Sequence, residues 1–596
     1  MRRRVIQALA LAVTVCIAAP ARADYTATVD PSIQYGIWQG WGSSLAWWAN
    51  VVGGFPEAAR QDYMEKAFDP VKGLGLNIVR YNIGGGENPE HLAPNRQFLS
   101  FRAAVPGYEP APGRWDWSAD TNQRWVLQQA IKRGANQLEV FSNSPPWWMT
   151  VSGSVTGNHG GADNLKPDAD GVFADYLTAV VQHFHDAWGI TFRDVEPLNE
   201  PSGGWSFGNY QEGCHVDRPH QNRMVNAVGA ALARRGMTYT TATASDEPSI
   251  GDADRTFPVY DATALRALTK INTHSYGGGD RTQLFDFANS AGKDLWLSED
   301  GDGDASGLRM SRQILTDVRG LHSSAWVYWQ VVDSAGGWGF LKNPLDSEEH
   351  TAYTVNGKYY VMGQYSKFIR PGYAIIAVDD SNSLAAYDAR AKTLAIVTTN
   401  SGDTDTRVAF DLSKFTRLGP SVTAYRTSPT ESWAKLPRIP LTGGRFSVTA
   451  PAKSVTTYVI GGAVYAGKIG INFRDYYRLV NAGSGLDLGG ASQQWTLIGQ
   501  GNGFYKVVNR ASGLVLDVDR AAKTAGADVI QYGDNGGDNQ LWNLADAGGG
   551  TLTLVNRNSG LALDGTRAGV VQQPGNTTAG QRWRLVRVSA EARERP

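Results

Sequence analysis

The chain has 596 residues, 42% hydrophobic and 19% charged, with 68 glycines, 19 tryptophans and a formal net charge of -1. That apolar fraction can bury a sizeable core and excludes a disordered or collagen-like chain; the length sets an expectation of roughly four domains, fewer if one is a large barrel. Lys+Arg 56 against Asp+Glu 57 leaves no basic footprint, so nucleic acid is not an expected partner.

Met1-Arg2-Arg3-Arg4, an apolar run from Val5 to Ala19 and the small-x-small site Ala21-Arg22-Ala23 read as a secretory signal peptide over 1–23. The apolar run is short of the roughly 20 residues that span a bilayer, and no later stretch is longer. A secreted, extracellular protein with no membrane partner is expected. Cleavage would remove four arginines, taking the charge from -1 to -5, and would leave Cys214 as the single cysteine. With no partner for a disulfide and no Cys/His/Asn constellation, Cys214 is expected to be a buried small hydrophobe.

Residues 24–39 contain a lead-in strand, Thr26–Val29, expected to join a later β-sandwich. From 40 to 371, strands and helices alternate. The strands are Gly40–Trp48, Leu76–Gly84, Gln137–Ser144, Arg193–Glu200, Thr238–Ser245, Lys270–Tyr276, Asp294–Asp300 and Ser323–Gln330. The helices are Pro56–Phe68, Ser118–Arg133, a stretch around Phe173–Phe184, Arg218–Arg235, Arg281–Ala291 and Gly307–His322. In the clearest, Phe173, Tyr176, Leu177, Val180, Val181 and Phe184 keep i, i+3/i+4 spacing. Eight such alternations predict a (β/α)8 barrel; a doubly wound sheet would want a G-x-G-x-x-G after its first strand, and none is there.

From 372 to 462 the pattern becomes short strands parted by turn clusters such as Asn400-Ser401-Gly402-Asp403, a β-sandwich signature. Residues 463–470 form a linker. From 471 to 588 a motif recurs: Val480-Asn481-Ala482-Gly483-Ser484-Gly485-Leu486, Val508-Asn509-Arg510-Ala511-Ser512-Gly513-Leu514 and Val555-Asn556-Arg557-Asn558-Ser559-Gly560-Leu561. Each copy closes with Gln-x-Trp, at Gln493/Trp495, Gln540/Trp542 and Gln581/Trp583. The units resemble a ricin-type lectin β-trefoil, a carbohydrate-binding module. In that family an Asp, an aromatic ring and Asn/Gln amides hold a sugar in each unit. The second unit matches, with Asp517, Tyr532, Asn535, Asn539 and Gln540. The third has Gln573 at the aromatic position and the first has Gly489 at the acidic one, so one competent sugar site is expected. Residues 589–596 are a tail.

Catalytic residues of such a barrel gather at the C-terminal ends of its strands. Glu200, in Pro197-Leu198-Asn199-Glu200-Pro201, and Glu299, in Trp296-Leu297-Ser298-Glu299-Asp300, end strands four and seven. Glycoside hydrolysis needs such a pair, one carboxyl protonating the leaving oxygen and the other attacking or activating water. These motifs resemble the clan of retaining glycosidases with Asn-Glu-Pro after strand four. Barrel plus sandwich resembles glycoside hydrolase family 30. Gly40-Trp41-Gly42-Ser43-Ser44-Leu45-Ala46-Trp47-Trp48, Arg80-Tyr81-Asn82-Ile83-Gly84-Gly85, Ser144-Pro145-Pro146-Trp147-Trp148-Met149 and Gln211-Glu212-Gly213-Cys214 are similar to its microbial endo-β-1,6-galactanases. The resemblance implies Glu200 as acid/base and Glu299 as nucleophile, with Asn199 on the sugar 2-OH. It implies further that Arg80 and Tyr276 orient Glu299, that His274 belongs to the substrate-binding set, and that Trp329 is the sugar platform, with Trp48 and Trp148 as subsite walls. Of two adjacent carboxyls one pKa should rise, and Glu200 is the candidate.

Asp300-Gly301-Asp302-Gly303-Asp304 begins like a calcium loop, but Ala305 and Ser311 stand where Gly and Glu are required. No His-Glu-x-x-His occurs, so neither metal nor cofactor is expected. Fifteen of the tryptophans lie between Trp38 and Trp338, more than packing requires. Trp47, Trp48, Trp147, Trp148, Trp205 and Trp329 fall at strand ends, as stacking surface for an uncharged polysaccharide would. The expectation is thus a secreted, monomeric, retaining endo-glycosidase acting on β-1,6-galactan side chains of arabinogalactan. Competing readings are another family-30 activity (β-1,6-glucanase, glucuronoxylanase, glucosylceramidase, exo-β-1,6-galactobiohydrolase) and a non-catalytic carbohydrate-binding protein; retention of both glutamates argues against the latter.

Overall fold

A computed structural model describes residues 23–92, 98–467, 471–472, 475–489, 493–500, 504–548, 551–566 and 569–588. The signal-peptide residues 1–22, the end of the linker at 468–470 and the tail from 589 lie outside the described residues. Among the described residues, no helix is long and apolar enough to cross a membrane.

Eight parallel strands close a barrel: β1 (Gly40–Ser44), β2 (Ile78–Asn82), β3 (Gln137–Phe141), β4 (Asp194–Glu196), β5 (Thr241–Ser249), β6 (Leu268–Gly277), β7 (Asp294–Asp300) and β8 (Ala325–Gln330). The ring is sealed by β1 pairing with β8, Gly40 opposite Ala325. All eight predicted strands are present. Helices Glu57–Phe68, Thr121–Lys132, Asp170–Trp188, Arg218–Arg234, Arg281–Ser290 and Leu308–Gly320 lie between them, each within a few residues of its predicted span. Phe173, Tyr176, Leu177, Val180, Val181 and Phe184 are all buried, so the i, i+3/i+4 stripe does face the barrel.

The interior of the barrel is not aliphatic. Along β6, Lys270, Asn272 and His274 alternate at the strand period and are wholly buried. Arg80, Glu139 and Asp194 complete the filling: Arg80 Nε donates to Glu139 Oε1 at 2.9 Å, and Lys270 pairs with Glu139 and, at 2.9 Å, with Asp194. The Lys270 ammonium also lies over the Trp296 ring, 3.4 Å from its centroid. Each buried charge has a partner, which such burial demands.

The lead-in strand is longer than expected. It runs from Tyr25 to Ile37, pairing in parallel with Thr406–Asp411 and, from Val29 onward and across a register break between Asp30 and Gln34, antiparallel with Ala374–Val378. It thereby links the two layers of the sandwich, whose core is closed by Phe410 of one layer and Tyr458 of the other, ring centroids 5.5 Å apart.

In the trefoil the three repeats adopt one geometry. The side chains of Asn481, Asn509 and Asn556 each accept from two backbone N–H groups of the following turn. Trp495, Trp542 and Trp583 are buried and donate to Leu488, Leu516 and Leu563 carbonyls at 3.2, 2.9 and 3.1 Å. These three tryptophans are structural, as expected. Cys214 is a free, buried thiol with its pKa raised by that burial, likewise as expected.

Candidate active site

Glu200 and Glu299 meet at the C-terminal mouth of the barrel, an oxygen of each and a nitrogen of His274 all lying within 4.8 Å of one another. After β4, Glu200 turns the chain in the left-handed region at φ 47°, and Asp246 at φ 52° faces it. The two are joined by the Glu200 N–H donating to the Asp246 carbonyl at 2.9 Å. Such conformations cost a bulky residue energy and persist where the surroundings hold them. Trp205 supplies part of that hold, its Nε1 donating to the Glu200 carbonyl at 2.9 Å. The indole lies flat on Gly213, where a Cβ would come within 2.2 Å of the ring, so the Gln211-Glu212-Gly213-Cys214 motif is the bed on which Trp205 rests.

Glu299 is held from three sides. Arg80 Nη1 donates to its Oε2 at 3.0 Å, Tyr276 Oη donates to its Oε1 at 3.0 Å, and His274 Nδ1 stands 3.7 Å away. Burial pushes the Glu299 carboxyl up, to about 7, with Glu200 and Asp246 adding to the rise and His274 and Arg80 opposing it. Glu299 is the more enclosed of the two, 3% exposed, whereas the Glu200 side chain is 16% exposed. His274 bridges the pair, with Nδ1 3.1 Å from Glu200 Oε1 and Nε2 3.1 Å from Asp246 Oδ1. Burial pulls its pKa down, but Glu299, Asp246 and the Glu200 hydrogen bond outweigh that and hold it at about 10. Asp246 is held near 2 against its burial by Arg80 and His274. The trio has a metal-like spacing, with His274 Nδ1 turned to Glu200 and Nε2 to Asp246.

The cleft above the pair has a volume of about 480 Å³. Of the predicted residues, Glu200, Glu299, Asn199, Tyr276 and Trp329 line it. Asn199 Oδ1 is buried there without a partner, a vacancy that a sugar hydroxyl could fill. Trp47, Trp205, Tyr210 and Trp338 line it too. Three expectations fail. Trp48 is fully buried, its Nε1 bonded to the Ser44 carbonyl at 2.8 Å, and packs on Phe68 in the core. Trp148 is not among the cleft residues; its Nε1 is committed to the Glu109 carbonyl at 2.9 Å. His274, expected among the substrate-binding residues, is fully buried beneath the carboxylates and positions them instead; Arg80, equally buried, orients Glu299 as expected. A larger cavity of about 610 Å³ lies between barrel and sandwich. Its two carboxylates are committed elsewhere, Glu431 to Arg426 at 2.6 and 2.7 Å and Asp304 to the Ser306 and Arg309 N–H groups at 2.9 Å.

The Asp300–Asp304 loop holds a lysine where a calcium loop would hold metal. The Lys358 ammonium, fully buried, shares its three N–H donors among four oxygens at 2.6 to 2.8 Å, Asp302 O and Oδ1, Tyr328 Oη and Gly337 O. Gly301 and Gly303 of the loop pass against the Trp338 ring, with Cβ positions 3.1 and 3.4 Å from it. Sequence reasoning missed Trp338, Asp246 and this cage.

In the trefoil the second-unit residues do converge. Asp517 accepts from Asn539 Nδ2 at 3.0 Å and Gln540 Nε2 at 2.8 Å. Gln540 is wholly buried and spends its other amide bonds on Gly533 O and Asn535 N, so it braces the pocket and has no donor left for sugar. Tyr532, 55% exposed, and Asn535 form the open side.

A closed eight-stranded parallel barrel with paired glutamates at its C-terminal mouth defines a glycoside hydrolase. The profile of O-glycosyl hydrolase family 30 matches residues 24–252, and that of ricin-type β-trefoil lectin-like domains matches residues 491–572. An endo-β-1,6-galactanase of Hypocrea rufa is 36% identical over 486 residues, covering 78% of this chain and 100% of that protein. Two solved structures share the fold. A conserved exported protein of Bacteroides fragilis superposes with TM-score 0.63 at 19% identity, over 73% of this chain and 100% of its own. The catalytic domain of the GH30 xylanase C of Talaromyces cellulolyticus superposes with TM-score 0.57 at 20% identity, over 73% and 99%. The chain belongs to glycoside hydrolase family 30 and carries a C-terminal ricin-type lectin domain.

Proposed function

We propose that the protein is a secreted endo-β-1,6-galactanase that cuts galactan side chains of arabinogalactan with retention of configuration. Glu299 attacks the anomeric carbon while Glu200 protonates the departing oxygen; Glu200, now a carboxylate, then takes a proton from the water that releases the sugar. The observation that carries this is the approach of Glu200 and Glu299 oxygens to within 4.8 Å. So close an approach of single oxygens leaves little room for the water that an inverting pair, with carboxyl groups about 6.5–9.5 Å apart, must hold between them. Arg80 and Tyr276 orient the attacking carboxylate, Asn199 receives the 2-OH, and Trp329 lies under the reacting sugar. The linkage is supported by the Hypocrea rufa relative, matched over its whole length, and export by the leader at 1–23. Asp517, Tyr532, Asn535 and Asn539 hold a galactan residue on the trefoil.

Products from β-1,6-galactan, β-1,6-glucan and glucuronoxylan, measured side by side, test the substrate: galacto-oligosaccharides of mixed length are expected, and galactobiose alone would mean exo action. Glu299→Gly should abolish hydrolysis, with azide restoring turnover as a glycosyl azide of inverted configuration. Glu200→Ala should yield an azide of retained configuration. The opposite pairing of products would exchange the two roles.

A further inference from the structure

Glu200 stands on a turn that is fastened from outside the barrel. Besides the bonds that Asp246 and Trp205 make to Glu200 itself, the two residues after it are pinned. The Pro201 carbonyl accepts the Val216 N–H at 2.9 Å. Ser202 gives both of its donors to one carboxylate, its N–H to Glu247 Oε2 at 3.1 Å and its Oγ to Glu247 Oε1 at 2.9 Å. Glu247 follows Asp246 where β5 is bulged, with register breaks on either side of it, and the two side chains part. Asp246 looks into the barrel, at Arg80, His274 and Ser298, while Glu247 looks out at the helices. There its Oε1 accepts from Gln221 Nε2 at 3.1 Å, on the helix Arg218–Arg234, and from Thr256 Oγ1 at 2.5 Å, on the short helix Ile250–Thr256. Gln221 Nε2 donates also to the Val216 carbonyl at 3.0 Å, closing a ring from Glu247 through Ser202, Pro201, Val216 and Gln221.

Glu247 is wholly buried and its partners are all neutral donors. Burial lifts its pKa, and these hydrogen bonds oppose the rise. A buried carboxylate is a costly filling for this space; what it supplies is several acceptor sites at one point. A glutamine of the same shape would not serve, because whichever way its amide turned, an N–H group would face donors. The segment so fastened begins with Glu200 at φ 47°, a conformation that persists where the surroundings hold it. Glu247 is not among the cleft residues, so any effect on the reaction passes through Glu200.

We propose that Glu247 is a positioning residue for the acid/base: its carboxylate fastens the Pro201–Ser202 turn and so keeps Glu200 aimed at the oxygen of the departing sugar. The inference rests on the reading of Glu200 as acid/base above. Proton delivery tolerates little misplacement, since the donor must stand about 2.6–3.2 Å from the atom it protonates.

The test compares Glu247→Gln with wild type, as full chains, on two substrates. The leaving alcohol of β-1,6-galactan needs a proton, whereas the phenolate of a dinitrophenyl β-galactobioside departs without one. On galactan kcat/KM should fall about tenfold or more, a part of the roughly 10²–10⁴-fold that general acid catalysis supplies, while on the aryl substrate it should keep most of its value. Release of the glycosyl-enzyme needs Glu200 as base, so azide should raise kcat of the variant on the aryl substrate and give a glycosyl azide of retained configuration. A merely structural loss would lower both substrates alike and give no such product. Should Glu247→Gln fail to fold, Ser202→Ala removes one of the two turn donors and is read in the same way. Equal losses on the two substrates, or wild-type rates on both, overturn the proposal. Glu200→Ala measured alongside separates the underlying reading. A split between substrates there, without one in Glu247→Gln, removes only the clamp; no split in Glu200→Ala removes the acid/base assignment itself.

Discussion

Tyr276→Phe deletes one hydroxyl and little else. The ring remains at the cleft wall, 39% exposed, while its Oη is the donor to Glu299 Oε1 at 3.0 Å. A hydrogen bond to a charged group contributes about 1.5–3 kcal/mol. It is made to the carboxylate and lost on protonation, so its removal acts on the proton affinity of Glu299. At about 1.4 kcal/mol per pKa unit, the carboxyl should rise by about 1 to 2 units above the value near 7 that burial already imposes. Glu299 must be ionised to attack, so activity is lost as pH falls through its pKa. The acid limb of kcat/KM on a short galactoside should therefore move up in pH by about 1 to 2 units. The deficit should be largest below the limb and shrink above it. Thermal unfolding should change little, because Arg80 and His274 still face the carboxylate. A limb that stays at the wild-type pH, with the rate uniformly lowered, would refute the argument and assign the hydroxyl to substrate.

Two other perturbations probe the buried charges. His274 has its folded pKa raised from 6.5 to about 10, so its contribution to stability is complete below pH 6.5 and disappears as pH rises through about 10. Tm should decline across that window, and His274→Gln should flatten the decline; an unchanged slope would show that the imidazolium is not what titrates. Lys358→Met strands the Asp302 carboxylate in the interior, at a cost of about 3–5 kcal/mol to stability. Because the same ammonium ties Gly337 beside Trp338, KM should rise more than kcat falls, a split that loss of stability alone would not produce.

The elements were legible where period and position agree. The stripe from Phe173 to Phe184 marked its helix, and each barrel strand carried a short β-rich run ending near Gly, Pro or Asn. Glu200 and Glu299 were found because strand ends are where a barrel keeps its chemistry. Asp246 was missed because Asp-Glu-Pro reads as a turn, so the predicted strand stops at Ser245, whereas β5 runs on through two further register breaks, Ser245/Glu247 and Glu247/Ser249, to Ser249. Trp48 was misplaced by adjacency. Trp47 and Trp48 follow the end of β1 at Ser44 and straddle the start of the short helix Trp48–Val52, and one residue of rotation sends the first ring to the cleft and the second to the core. Periodicity alone does not say which, because β1 and the following helix use different periods. Lys358 lies 56 residues from Asp302, and no local pattern joins them. The polar alternation Lys270, Asn272, His274, Tyr276 was visible, and a strand with its inward set polar was the available sign of a charged barrel interior.

That interior bears directly on the second half of the reaction. Aliphatic filling of equal volume would often be as stable or more so, since buried ion pairs scarcely recover their desolvation. What the charges supply is a field at Glu299 and Glu200 that needs no solvent rearrangement when charge moves. While Glu299 is ionised it shares His274 with Glu200. Once Glu299 is esterified to sugar, its charge is gone and the imidazolium, already nearer Glu200 at 3.1 Å than Glu299 at 3.7 Å, has Glu200 and Asp246 as its remaining anions. One cation would then keep Glu200 ionised for its turn as base. His274→Gln should accordingly slow release of the glycosyl-enzyme more than its formation. With an activated aryl galactoside, stopped-flow should show a burst of the leaving group near one equivalent, absent in wild type, and the burst should grow as pH is lowered. A variant slowed with no burst would place the role of His274 in the first step and sink this account of the switch from acid to base.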